Sequence, residues 1–215
     1  MISKLLFWGA SGHALVVADI IRLQGIYEIV GFLDNMNPQR YGENFCGAKI
    51  LGGQEQLDYC KDKGIKYIIF GFGDCQARLK LSELIYRKGF SLATAIHPTA
   101  VIAADVSIGA GTVIAAGAVV NAGSKIGQNV IINTSASVDH ECVIEDGAHI
   151  CPGVHLAGRV TVGRAACVGI GATVIDRVRI GAGGLVGAGA VVVNDIPDGV
   201  LVYGVPARVI RKIDL

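Results

Sequence analysis

Between residues 102 and 192 every sixth position is aliphatic: Ile102, Ile108, Ile114, Val120 and onward, without a slip, to Val186 and Val192. Two residues before many of these stands a small or β-branched residue, as at Val106, Ala118, Val130, Ala136, Val154 and Ala172, and a glycine often follows (Gly109, Gly127, Gly163, Gly181). A period this short leaves a chain few choices. Alternate side chains of a strand point to opposite faces, so positions i−2 and i of each hexad point inward together. The remaining residues turn a corner. Three such flats close a triangular coil of about eighteen residues, and about five coils stack into a parallel β-helix.

The residue between i−2 and i faces outward, and one flat presents Val113, Ile131, His149, Cys167 and Leu185. A second presents Val101, Val119, Ser137, His155, Thr173 and Val191, and the third Ser107, Lys125, Val143, Thr161 and Arg179. Two flats are largely apolar outside. A monomer rarely leaves such patches in water, and a threefold ring uses two different surfaces of each subunit. A homotrimer is the expectation. His140 and Glu141 fall at a corner, outside the aliphatic core, with His149 half a coil later on another side. Within one chain the two histidines do not meet easily; across a trimer interface they can.

Residues 1–96 read differently. Strands are predicted at 5–8, 28–33, 67–70 and 91–96, with helical patterns at 14–23, 54–62 and 75–88. This alternation predicts a small Rossmann-like parallel α/β domain over 1–96, followed by the β-helix over 97–196 and a tail over 197–215. In such sheets ligands lie beyond the carboxyl ends of the strands. Residues 9–13, Asp34 with Asn35, and 71–74 converge there. The Gly-rich turn before a helix offers N–H groups and a positive dipole end to a phosphate. It lacks the full G-x-G-x-x-G spacing, so a dinucleotide cofactor is not indicated.

The 215 residues allow one or two domains, and a formal charge of +1 gives no footprint for nucleic acid. No apolar run reaches the length of a membrane span. The first nine residues are too short for a signal-peptide core and read as a first strand, so a cytoplasmic protein is expected. Six cysteines show no C-x-x-C spacing, and neither a metal nor disulfides are expected.

Several motifs follow one another in order: Gly9-Ala10-Ser11-Gly12-His13-Ala14, Asp34, Ile96-His97-Pro98, Asn133-Thr134, Asp139-His140-Glu141-Cys142 and Tyr203-Gly204-Val205-Pro206-Ala207-Arg208. In this order and spacing the chain resembles the sugar acetyltransferases of the NeuD/PglD family, among the hexapeptide-repeat acyltransferases, over nearly its whole length. The resemblance implies a left-handed β-helix that trimerises and binds acetyl-CoA between subunits, and an α/β domain that binds a nucleotide-linked sugar. It implies His140 as base with Glu141 tuning it. Asn133 and His149 match positions that contact acetyl-CoA or line the active site, and Gly158, Ile170, Gly187 and Ala188 match the pantetheine tract. Ser11, Gly12, His13, Asp34, Asn35 and Gly73 match the sugar-nucleotide pocket. Some members carry Asp-Asp where this chain has Asp34-Asn35, which leaves open the base or sugar read there. Arg208 and Lys212 read either as partners of CoA phosphates or as part of a solvated tail helix.

Acetyl transfer from a thioester to an amine needs a base, a stabilised oxyanion and two substrates held together. Histidine suits the first task because its ordinary pKa lies near neutrality. A neighbouring carboxylate favours the imidazolium and so strengthens the base; Glu141 is the candidate and Asp139 a rival. No Ser-His-Asp or reactive-cysteine pattern is visible, so direct transfer is expected. The acceptor is read as the amine of a UDP- or GDP-linked amino sugar. O-acetylation of a sugar such as sialic acid, or a non-catalytic sugar-nucleotide scaffold, are the alternatives.

Overall fold

A computed structural model describes residues 2–213, and the chain divides into two compact units with the boundary between Pro98 and Thr99. In the first unit, β1 (Ser3–Trp8) is followed by α1 (Gly12–Gln24), β2 (Tyr27–Leu33), β3 (Asn44–Phe45), β4 (Ala48–Gly52), α2 (Leu57–Asp62), β5 (Tyr67–Phe70), α3 (Cys75–Arg87) and β6 (Ser91–Leu92). The strand order is β3-β4-β2-β1-β5-β6. β1 lies parallel between β2 and β5, so the direction of winding reverses beside β1, where an open α/β sheet leaves its ligand crevice. Leu6, Trp8, Ile68 and Phe70 pack on one side of the sheet with Leu57 and Cys60 of α2 and Ile85 of α3. α1 buries Ala14, Val17, Ala18 and Ile21 at helical spacing, and Gly25 closes it in the left-handed conformation with φ 67°.

Three local features were not legible in the periodicity. β3 and β4 form a hairpin around Cys46 and Gly47, both at positive φ, which is the backbone a tight two-residue hairpin requires. Cysteine is an unusual residue there, so no turn signal stood out. The helical stretch at 54–62 opens as a 3-10 turn, Gln54–Gln56. The strand expected over 91–96 is two short pieces, Ser91–Leu92 and Ala95–Ile96.

The second unit is a parallel β-helix with two residues of strand on each flat. The registers step by one coil: Val101 pairs with Val119 and Val119 with Ser137, while Lys125 pairs with Val143. From Ile114 to Val192 every repeat aliphatic is buried, and the i−2 column beneath it includes Thr112, Ser124 and Cys142. These polar inward groups are hydrogen-bonded within the coil. Thr112 Oγ1 donates to the Gly127 carbonyl at 2.8 Å, Ser124 Oγ to that of Asp139 at 2.8 Å, and Cys142 Sγ to that of Ala157 at 3.2 Å. The buried hydroxyls therefore cost little.

Of the outward residues, Val113 and Ile131 are already buried within the single chain, whereas Val101 is 63% exposed and Leu185 half-buried. The tail is not helical. Val200–Gly204 adds in parallel to Leu185–Val186 and then pairs antiparallel with Ala207–Lys212. Arg208 lies opposite Tyr203 and Lys212 opposite Val200 in that hairpin. The hydrophobic alternation Val200, Val202 continues the flat after the hexads end, and this is why the tail docks as a strand.

Candidate functional site

In the first unit the turns after β1 and β5 meet at the switch point. Gly9 N–H donates to the Leu33 carbonyl at 2.7 Å and Gly71 N–H to that of Trp8 at 2.8 Å. Gly9 and Gly71 are in contact: a Cβ on Gly71 would stand 2.7 Å from the Gly9 oxygen and 2.6 Å from Ala14 Cβ. Ser11 precedes α1 at its N-cap position but does not cap it; its Oγ donates to the Gly71 carbonyl at 3.2 Å and ties the two turns together. The amino end of α1 is thus without a side-chain cap, and a Cβ on Gly12 would meet nothing within 4 Å. A helix end of this kind can bind an anion.

Asp34 is 5% exposed, and its carboxylate shapes the adjoining loop. It accepts the Met36 and Asn37 N–H groups and the Asn37 amide, and lies 3.7 Å from Arg40. Arg40 reaches across to the Ala10 carbonyl at 2.8 Å, a role nothing in the sequence pattern marked. Buried Arg78 likewise donates to the Gly73 carbonyl, and Asp74 caps α3 by accepting from Ala77 N–H at 2.7 Å. Together these elements enclose a cavity of 490 Å³ lined by Trp8, Gly9, Ser11, Asp34, Asn35, Met36, Phe72 and Asp74 among others. Of the six residues expected to hold a sugar nucleotide, Ser11, Asp34 and Asn35 line it directly. Gly12 and His13 open the adjoining helix, and Gly73 belongs to its rim loop.

In the β-helix, His140 and Glu141 sit at the corner between Ser137–Val138 and Val143–Ile144. Glu141 takes a left-handed φ of 57°, as do Arg159 (61°) and Arg177 (60°) at the same corner of the next two coils. This stacking lets the Glu141 carboxylate accept from Arg159 Nε at 2.9 Å and from His140 Nδ1 at 3.1 Å. Asp139 instead accepts the His140 backbone N–H at 2.7 Å and the Asn121 amide at 2.9 Å. The choice between the two acids is therefore settled: Glu141 orients the ring and Asp139 the backbone beneath it. The Arg159 and His140 hydrogen bonds hold the Glu141 carboxyl below the usual carboxylate range, and those from Asn121 and the His140 backbone do the same for Asp139. With Nδ1–H given to Glu141, Nε2 carries the lone pair. The imidazole lies over Gly158, one coil on, where any Cβ would come within 2.5 Å of Nε2.

Asn133 and His149 form a second cluster on a different edge. Thr134 N–H donates to Asn133 Oδ1 at 2.9 Å, which fixes the amide so that Nδ2 donates to His149 Nε2 at 3.2 Å. Ile170, Gly187 and Ala188 follow at the corresponding corner of later coils, and Ile170 is 59% exposed. Gly187 has a structural duty as well, because a Cβ there would strike Tyr203 of the closing hairpin at 2.7 Å. Five of the six expected acetyl-CoA residues thus share one edge, while Gly158 belongs with His140. Cys151 and Cys167 join this second cluster, their Sγ atoms 3.8 Å apart. No short-range spacing marks this pair, because the residues are sixteen positions apart and meet diagonally across successive coils.

Comparison with known proteins bears on both units. The PglD N-terminal domain profile matches residues 4–85. A GDP-perosamine N-acetyltransferase from Caulobacter crescentus, solved as a histidine-to-alanine variant with CoA and GDP-perosamine, is 39% identical, with 99% of each chain covered and a TM-score of 0.93. The chain belongs to the PglD/NeuD-type sugar N-acetyltransferases. The acetyltransferase domain of PglB from Neisseria gonorrhoeae is 37% identical, with 96% of this chain and 99% of that one covered and a TM-score of 0.90. WeeI from Acinetobacter baumannii is 27% identical, covering 97% and 100%, with a TM-score of 0.87. As a PglD/NeuD-type chain its coils form a left-handed β-helix. No helix among the described residues is long and apolar enough to cross a membrane.

Proposed function

We propose that this chain is an acetyl-CoA-dependent N-acetyltransferase acting on the amine of a nucleotide-linked amino sugar, with His140 as general base. The observation that carries the reading is the disposition of the His140 ring: Nδ1 is held by Glu141, the ring face lies on the bare backbone of Gly158, and Nε2 keeps its lone pair for a substrate. An amine presented there loses its proton to Nε2 as its nitrogen attacks the thioester carbonyl. When the tetrahedral intermediate collapses, the carbon–sulfur bond breaks and the imidazolium returns the proton to the departing thiolate. Ionised Glu141 stabilises the imidazolium in between. Transfer is direct, with no acyl-enzyme.

The cavity beside β1 holds the nucleotide-linked sugar, its phosphates at the amino end of α1. Acetyl-CoA lies along the edge marked by Asn133, His149, Ile170, Gly187 and Ala188. His140 and that edge are on different corners of one prism, so a complete site needs His140 from one subunit and the Asn133–His149 edge from its neighbour. A homotrimer meets that need with three equal sites. We place the reaction in the cytoplasm, at a step that prepares a sugar for glycan assembly, since both substrates are cytoplasmic metabolites.

A hydroxyl acceptor such as sialic acid would use the same base. The amine is favoured because the 39% identical relative carries an amino sugar as its nucleotide-linked ligand. The test is thiol release from acetyl-CoA against UDP-, GDP- and dTDP-linked 4-amino sugars, with sialic acid in the same panel. Release with at least one amino sugar, and none with sialic acid, is expected. Release with sialic acid alone overturns the proposed acceptor, and release with neither restores the scaffold reading.

A further inference from the structure

The cysteine pair beside His149 has a shape the acetyl-transfer reading does not use. Cys151 and Cys167 Sγ stand 3.8 Å apart, and with one ring nitrogen of His149 they form three ligand atoms all within 4.8 Å of one another. Two thiolates, each about 2.3 Å from a tetrahedral ion, stand about 3.8 Å apart, and an imidazole nitrogen about 2.0 Å from that ion stands about 3.6 Å from each. The sulfur edge is already at the tetrahedral length, and the ring has at most about 1.2 Å to close. All three residues are half-buried within the single chain, and three protein ligands leave the fourth position for water. Two thiolates and an imidazole favour zinc over the hard cations.

We infer that His149, Cys151 and Cys167 form a binding site for a zinc-class cation, with an open fourth position. Binding replaces two S–H bonds by two S–metal bonds and releases two protons; no electron moves. His149 Nε2 accepts from Asn133, whose amide is fixed by Thr134. Coordination through Nε2 displaces Asn133, and coordination through Nδ1 moves the ring proton to Nε2 and inverts the contact. The ion and the Asn133–His149 bond therefore exclude each other. On the acetyl-transfer reading above, which this consequence rests on, an occupied site is an inhibited one.

The experiment is Co²⁺ titration of the full-length protein, kept reduced by a phosphine. One equivalent per chain should give a thiolate-to-cobalt charge-transfer band with the visible bands of four-coordinate cobalt, bleached by Zn²⁺. About two protons should leave per ion below the thiol pKa. Cys151→Ser and Cys167→Ser should each abolish the charge-transfer intensity, and His149→Ala should weaken binding by about tenfold or more. Cys46→Ser, in the other unit, should change nothing. Cys151→Ala and Cys167→Ala, checked by circular dichroism, guard against a serine variant that fails to fold. Absence of the band, or its survival in a folded Cys151 or Cys167 variant, overturns the site whatever the acetyltransferase assay shows.

Discussion

The imidazole of His140 lies against Gly158: a methyl group on Gly158 would stand 2.5 Å from Nε2 and 2.6 Å from Cε1. The two residues occupy the same corner of successive coils, so the ring is seated on bare backbone that leaves it room. Gly158 does not need a left-handed backbone; it is absent from the positive-φ glycines. Gly158→Ala should therefore leave the coil intact and tilt the ring. A displacement near 1 Å at the reacting atoms costs about 10²-fold, so kcat should fall by about that factor. The melting temperature should move by no more than surface substitutions usually cause. Stopped assays with calorimetry on the same preparation check both halves. An unchanged kcat would mean the ring is not the group that meets the amine.

His140→Ala should lower turnover by about two to four orders of magnitude, the usual worth of a positioned base. Glu141→Gln separates orientation from charge. The carboxyl of Glu141 is held below the usual range by Arg159 and His140, so it stays ionised until pH falls through that lowered value. Its contribution is present above the ordinary carboxylate pKa and lost only in stronger acid. Glu141→Gln should therefore lower the plateau rate by less than His140→Ala does, because an acceptor for Nδ1 remains while the charge that stabilises the imidazolium is gone. A plateau rate equal to that of the unaltered protein would detach Glu141 from the transfer.

How far the sequence could be read depends on which residues carry the signal. Repeat aliphatics such as Ile132 and Val168 lie inside every coil, so the hexad period exposed the β-helix and the position of each outward residue. The corner that holds His140 followed from the same count. Asp139 and Glu141, one on each side of His140, could not be ranked, because rank depends on the left-handed φ of Glu141 and on Arg159 eighteen residues away. Arg40, Arg78 and the Cys151–Cys167 pair were missed for a related reason. Each acts through a contact between segments with no short-range pattern. Ile131 was read as an outer interface residue, yet it is buried in the single chain, so Leu185 is the better site for a charge meant to weaken a trimer. Leu185→Asp should lower the mass seen by light scattering at micromolar concentration, since it would bury an unpaired ion.

Two glycines of the first unit predict opposite outcomes. Gly71 has no room for a methyl group, being pressed against Gly9 and Ala14. Gly71→Ala should destabilise the domain by roughly 1–3 kcal/mol through overpacking, visible as a lowered denaturant midpoint. Gly12 is open to solvent, and no protein atom explains its identity. Gly12→Leu should keep the stability and raise KM for the nucleotide sugar while leaving KM for acetyl-CoA alone, because the side chain would occupy the anion position. Equal effects on both substrates would place the phosphates elsewhere.

The separation of His140 from the Asn133–His149 edge makes a sharper test by subunit mixing. One chain carries His140→Ala, and the other carries Asn133→Ala with His149→Ala; each alone should be inactive. If a site takes His140 from one subunit and Asn133 with His149 from the next, a contact is intact only when its first subunit is the double variant and its second the His140 variant. Random exchange at equal concentrations gives that arrangement at about one contact in four, because each closed ring of three has three equivalent contacts. The mixture should therefore recover about a quarter of wild-type turnover per site, with native mass spectrometry confirming mixed trimers. A site built within one chain predicts none, since every chain in the mixture lacks one half. Confirmed exchange without recovered activity would sink the shared site.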